Sequence, residues 1–334
     1  NSPIKMATVT LLLALASAAA AATHGPFTED FVDFLSKSPE LNEYVLNSFR
    51  EYGASGTFGG RSEDDERVTR HPVVFVHGSS DSALYHSDRA TGWTKSVEHF
   101  KKRGYAGAEL FGLTYGTRDI NFSLESRITC RDLIGLRRFI EAILDYTETD
   151  KVDIIAHSMG VTLARMAAQG GEVHLPTESC NLGAPLAPKI DAFVAISGAN
   201  YGMCMCLMAG LTHLPACGQS GLAPGKCGRR QASIGDCMDH TECDGEDDYS
   251  NVLFAVNKSD KKEAEFVASL WSNDDNFLGR NNLVWGRKTS HVPGSDITHG
   301  YKKMDHFESK DKTVNDQLSL VSDHRLHGGR EKRH

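Results

Sequence analysis

Ser158 has the most suggestive surroundings in the chain. The stretch KVDIIAHSMGVTLARMAAQ (151–169) begins with apolar residues, runs into Ala156-His157-Ser158-Met159-Gly160 and continues in helix-forming composition from Val161 to Gln169. Strand, sharp turn and helix in that order make a nucleophile elbow. The flanking residues must be small, because the serine backbone is strained there and the next helix passes close by. Ala156 stands in the first glycine position of the usual G-x-S-x-G, a change of one carbon. Such a turn lifts the hydroxyl clear of the sheet. It also aims backbone N–H groups at the helix start toward developing negative charge. His157, next to the nucleophile, reads as a packing residue, since adjacent side chains at such a turn cannot align on each other.

Acyl transfer needs two donors for the oxyanion. One is the N–H of the residue after the nucleophile, here Met159. The second comes from a loop after an earlier strand, often headed by His-Gly. HPVVFVHGSS (71–80) supplies that loop, with Ser79 N–H as the donor. Asp81 follows at once, either bracing the loop or solvating a turn.

The elements that must hold these groups alternate. Val73 to Val76 is apolar and mostly β-branched, as in a strand buried on both faces. A helix is expected around 92–103 and a strand over 108–113. Leu133, Leu136, Ile140, Ile143 and Leu144 place one apolar stripe on a helix over 131–146. Further strands are expected at 151–156, 192–197 and 266–272. Residues 24–52 read as helical, and the Gly-rich, charged stretch 53–70 as a surface loop. Strand alternating with helix indicates an α/β fold with a mainly parallel sheet flanked by helices.

Composition narrows the class. The 334 residues are 40% hydrophobic and 24% charged, with net charge −8. That balance is globular, and its acidic sign argues against nucleic acid as a partner. Val9 to Ala22 is uncharged, follows Lys5 and ends in small residues. It reads as a signal peptide over 1–22, cleaved between Ala18 and Thr23 and too short for a membrane span. A mature chain without a transmembrane segment is expected. In a secreted protein the even count of eight cysteines suggests disulfides. Six lie between Cys204 and Cys243, so 203–250 is expected to be a cross-linked cap or loop insertion. Leu207, Met208, Leu211 and Leu214 there either line an acyl channel or pack beneath the loop. Neither zinc-type nor calcium-type ligand spacing is present. Asn121 and Asn257 head glycosylation sequons. The hydrolase domain is expected over 23–323, and 324–334 as a polar, frayed tail.

HPVVFVHGSSDSAL (71–84) and AHSMGVTLAR (156–165), with GPFT (25–28), GTFGG (56–60) and the cysteine-rich insertion, resemble the secreted class 2 lipases, and within them the nematode branch. The resemblance spans about 25–320. It implies an α/β-hydrolase fold and a triad in the chain order Ser, acid, His. In WSNDDNFLG (271–279), Asp275 matches the family acid; adjacent Asp274 is the alternative, and Trp271 departs from the family tyrosine. Asp305-His306-Phe307 resembles the family's late histidine segment, so His306 is the base, ahead of His291 and His299. The implied activity is carboxylic-ester hydrolysis, in first place of triacylglycerols, with a lipid or small ester as the partner and no cofactor or metal. A short-chain esterase, a thioesterase or acyltransferase, and a non-catalytic lipid-binding protein are the alternatives.

Overall fold

The computed structural model describes residues 24–327 apart from 64, 240–242 and 244–247. The expected signal segment and residues 328–334 of the tail lie outside the described residues. A seven-stranded sheet forms the centre. Its strands are β1 (Thr57–Phe58), β2 (Val73–Val76), β3 (Leu110–Leu113), β4 (Val152–His157), β5 (Ile190–Ile196), β6 (Phe266–Ser272) and β7 (Ile297–Tyr301). They lie side by side in the order β1-β3-β2-β4-β5-β6-β7. Only β1 runs antiparallel, against β3. The flanking helices include α1 (Glu29–Ser36), α2 (Thr94–Lys102), α3 (Cys130–Thr147), α4 (Met159–Gln169), α5 (Asn251–Lys258), α6 (Glu308–Asp311) and α7 (Val314–Asp323). This is an α/β-hydrolase fold.

The physical cause is burial on both faces. Every residue of β2, β4 and β6 is buried. One face carries Val74, Val76, Ile154 and Phe193 into a core shared with α3 and α4; the other carries Val73, Phe75, Ile155 and Val194 against α2 and α7. Because β2 to β7 are parallel, their carboxyl ends emerge on one edge, where loops can converge on a ligand.

Several expectations are corrected. The helical stretch over 24–52 breaks at Ser38-Pro39, where Ser38 caps the Leu41 N–H; a residue before proline is pushed out of the helical region. The stretch 53–70 is not wholly a surface loop, because Gly56 to Gly60 is buried and contains β1. Glycine makes that packing possible: a Cβ at Gly112 would meet the Phe58 ring at 2.2 Å. The start of the tail is docked, with His324 stacked on Phe266 and bonded to Asp191 at 2.9 Å.

The cysteine-rich insertion pairs within itself as Cys204–Cys237, Cys206–Cys217 and Cys227–Cys243, while Cys130–Cys180 ties the start of α3 to a hairpin (Glu172–His174 with Ser179–Asn181). Cys204, Cys237, Val284 and Trp285 form a small core of its own. Leu207 packs against that core and Leu211 against the main one, whereas Met208 is exposed. Among the described residues no helix is long and apolar enough to cross a membrane.

Candidate active site

The carboxyl end of β4 carries Ser158 at φ +56°, ψ −129°, a conformation that L-residues rarely hold. Its surroundings leave no space for larger neighbours. A Cβ on Gly160 would lie 2.2 Å from the His77 carbonyl oxygen, and one on Gly78 would lie 2.7 Å from the Ser158 Cβ. Glycine at both positions therefore lets the β2 loop, the serine turn and α4 touch. Ser158 N–H donates to Ile196 O at 2.9 Å, which anchors the turn to β5.

Ser158 Oγ lies 2.9 Å from His306 Nε2, and His306 Nδ1 lies 2.8 Å from Asp275 Oδ2. Both spacings fall in the range for nucleophile, base and orienting group. Asp275 sits after β6, and its other oxygen accepts N–H bonds from Phe277 and Leu278, each 2.8 Å. Burial pushes the Asp275 carboxyl up, but His306 and these N–H groups outweigh it and hold it below the usual carboxylate range. Asn276 Oδ1 accepts the His306 N–H at 3.0 Å, joining the acid and histidine loops. Asp274 is exposed and accepts from Lys303 N–H at 2.7 Å, so the two neighbouring carboxylates point to different partners. His299 lies within β7 and His291 in the loop before it; the imidazole facing Ser158 is that of His306.

His157 packs its ring 4.7 Å from that of His306 and holds the His306 carbonyl with Nε2 at 3.1 Å. Burial lowers its pKa well below the ordinary histidine value, so it stays neutral. Ser79 and Met159 both border the space in front of Ser158. The Ser79 hydroxyl donates to Ser123 O at 3.1 Å, which fixes this residue of the loop.

Tyr115, Asp81 and Lys310 support this loop, and of the three only Asp81 stands out in the sequence. Tyr115 stacks on His77 at 4.3 Å, gives its N–H to His77 Nε2 and its hydroxyl to His77 O. With Nε2 accepting, Nδ1 donates to Gly78 O at 2.7 Å, which fixes a neutral tautomer; burial lowers the His77 pKa to about 4. Asp81 is fully buried rather than solvated, and Lys310, also fully buried, bonds it at 2.7 Å. An ion pair spanning that much sequence has no spacing rule that could reveal it.

The space over Ser158 is a cavity of about 40 Å³, walled by Ile120, Leu124, Met203, Ala216, Leu222 and Phe277. The cap thus contributes Met203, Ala216 and Leu222 to the wall. The channel candidates Leu207, Met208, Leu211 and Leu214 are not among its lining residues.

A half-buried serine, an imidazole within hydrogen-bond reach and an oriented carboxylate suit acyl transfer, and the family comparison points the same way. The model of the class 2 lipases matches residues 70–319. No curated protein matches the chain. Among solved structures, Aspergillus fumigatus lipase B is 13% identical at a TM-score of 0.49, over 80% of this chain. This chain spans only 56% of that lipase's length. The monoacylglycerol lipase of Paleococcus ferrophilus is 15% identical at a TM-score of 0.44, over 80% of this chain and 98% of its own. A carboxylesterase of the thaumarchaeon Nitrososphaera gargenis is also 15% identical, at 0.41, over 80% of this chain and all of its own. The family match carries the assignment: the chain belongs to the class 2 lipase family and is a carboxylic-ester hydrolase.

Proposed function

We propose that this chain is a secreted lipid-ester hydrolase that works through an acyl-enzyme on Ser158. The observation that carries the reading is the continuous line from Ser158 Oγ through the His306 ring to Asp275. His306 Nε2 takes the hydroxyl proton as Ser158 attacks the ester carbonyl. Asp275 holds the tautomer and stabilises the imidazolium. The Met159 and Ser79 N–H groups receive the oxyanion. The imidazolium then protonates the leaving alcohol, and water repeats the sequence on the acyl-enzyme. Hydrolysis of p-nitrophenyl esters from acetate to palmitate, by wild type beside Ser158→Ala, tests it. A loss on the order of 10⁴-fold or more in kcat is expected. Full activity in Ser158→Ala would overturn the reading, and binding of lipid without fluorophosphonate labelling would favour a non-catalytic protein.

One observation favours a narrower substrate. The cavity of about 40 Å³ is far below the roughly 300–1,000 Å³ of pockets that enclose a drug-sized ligand. With the cap as it stands, so small a space favours short acyl chains, and a triacylglycerol requires the cap wall to move. A turnover peak at acetate or butyrate supports the short-chain reading; a peak at long chains supports a triacylglycerol lipase.

Secretion is supported by four disulfides with every described cysteine paired. The two sequons are unequal. Asn121 is exposed, but Asn257 donates its amide to Asn200 O at 2.7 Å and accepts from buried Arg165 at 2.7 Å. A glycan on Asn257 would replace one of the two hydrogens of an amide nitrogen that is packed against Asn200 O and the Tyr249 hydroxyl on a half-buried side chain. Peptide mapping of secreted protein is expected to find glycan at Asn121 alone; occupied Asn257 in active enzyme would contradict this.

A further inference from the structure

Two halves of the proposed machinery stand on different strands. The loop bearing Ser79 follows β2, and His306 follows β7, four strands away across the sheet. A buried ion pair connects them directly. Lys310 Nζ donates to Asp81 Oδ2 at 2.7 Å, to Thr91 Oγ1 at 3.0 Å and to Gly92 O at 2.5 Å, and lies 5.3 Å from the centre of the Trp93 ring. Asp311 is the other carboxylate nearby, with Oδ1 at 3.7 Å. The remaining Asp81 oxygen accepts the N–H groups of Ser82 at 2.9 Å and Gly92 at 2.8 Å. Lys310 and Asp81 side chains are 0% and 1% exposed.

Asp81 is two residues from Ser79, and its own N–H closes the turn onto Gly78 O at 3.3 Å. Lys310 is one helical turn beyond His306, on α6. That helix is fixed to the histidine by Ser309, whose hydroxyl donates to His306 O at 2.6 Å and meets Ser197 Oγ at 2.8 Å. From Ser79 to His306 the connection is therefore short and polar, and does not pass through the intervening strands.

Burying two charges is costly, and an apolar pair of similar volume often gives equal or greater stability. Fold stability alone is thus a weak reason for this pair. We propose that Asp81 and Lys310 are positioning residues, a clamp that sets the oxyanion donor on Ser79 against the His306 imidazole. Neither touches the reacting atoms. The inference rests on the proposed roles of Ser79 and His306.

The clamp makes a prediction that a packing role does not. Asp81→Leu with Lys310→Met removes both charges and keeps the volume, so it avoids stranding one charge. This double variant is assayed well below its Tm, on wild-type secreted protein background, with the preferred p-nitrophenyl ester. The expected result is a kcat lowered on the order of 10²-fold with KM within about twofold, because sub-ångström misplacement acts on the transition state. Fluorophosphonate labelling of Ser158 should slow in parallel. A double variant that folds and keeps kcat within about twofold overturns the clamp. If it does not fold, Asp81→Asn, which keeps the acceptor for Ser82 and Gly92, is judged by the same numbers; failure of that variant to fold also overturns the proposal, since the pair then serves the fold at large. Loss of the underlying reading looks different: Ser158→Ala would then retain activity and Ser158 would resist labelling in wild type.

Discussion

The two sides of the cavity are built by different physics. The side with Ser158, His306 and Asp275 stands on strand ends locked by main-chain ladders and a two-faced core. The opposite wall comes from a segment with almost no regular structure, closed by cross-links whose partners lie 11, 16 and 33 residues apart. The first arrangement leaves the proposed triad little freedom, since its strand ends stand on a ladder of buried hydrogen bonds. The second fixes only an enclosed shape, and a small core around Trp285 fills it. The proposed function makes chemistry and selectivity separable: damage to the sheet side should cost rate, and damage to the cap should alter which ester is taken.

After loss of Ser158 or of the His306 imidazole, the largest effect on rate should come from Asp275. Asp275→Asn keeps the shape but offers His306 Nδ1 an amide in place of a carboxylate. A fall in kcat on the order of 10⁴-fold is expected, with KM little changed. Asp274→Asn, altering a carboxylate that faces Lys303 N–H at the surface, should stay within about twofold. Steady-state kinetics on the two variants decide it, and equal losses would remove the distinction drawn between the neighbours.

The same contrast governs how much of the molecule could be read from residues alone. β4 and its elbow are legible because six consecutive residues are buried and the turn tolerates few residue types. β6 falls where its apolar run predicts. By contrast β7, Ile-Thr-His-Gly-Tyr, is a half-buried edge strand without alternation, and nothing in its composition announces it. Its Gly300 is set by a long-range contact, since a Cβ there would meet the Trp271 indole nitrogen at 2.8 Å. β1 has two residues and is buried only because Gly59 and Gly112 admit aromatic rings. Lys310 looks like an ordinary surface charge until its burial beside Asp81 is seen. Likewise Leu207 to Leu214 suggest a channel by hydrophobicity, but Met203, Ala216 and Leu222 supply the wall, because cross-linked turns present residues without any period. Local rules capture what periodicity enforces; they are silent where the neighbour comes from a distant segment.

Removing the Cys206–Cys217 link tests the cap side. This bridge closes the segment between Met203 and Leu222, with Ala216 beside Cys217 on the cavity wall. Cys206→Ser with Cys217→Ser should cost about 2–4 kcal/mol of stability. At temperatures where the variant is folded, turnover of acetate should stay within about threefold, while the ratio of octanoate to acetate turnover rises more than threefold. Cys130→Ser with Cys180→Ser, at the start of α3, should lower stability without moving that ratio. An unchanged ratio in the cap variant would show that the cap does not set chain length.

The last expected effect is pH-dependent, and His77 and His157 place part of it on the sheet side. His77 is buried and neutral, with a pKa lowered to about 4 by burial against an ordinary 6.5. Between those values the unfolded chain takes up a proton at this position that the folded chain refuses. Stability therefore rises with pH across this window, and is lost as pH falls from about 6.5 toward 4. The contribution from His77 is at most about 3 kcal/mol at one pKa unit per 1.36 kcal/mol. His157, lowered for the same reason, adds in the same direction. Asp275 behaves oppositely in its protonation but not in its consequence: its depressed pKa gives stability that is present above the unfolded value near 3.9 and disappears only as pH falls through the folded one. The histidine loss thus precedes the carboxylate loss on acidification. Urea unfolding at pH 7 and pH 4.5 should show His77→Gln losing less stability than wild type between the two. The Cys206/Cys217 variant should lose as much as wild type, because its bridge carries no titrating group in that window. A wild-type slope retained in His77→Gln would place the acid sensitivity elsewhere, and a reduced slope in the cap variant would join the two sides that the fold keeps apart.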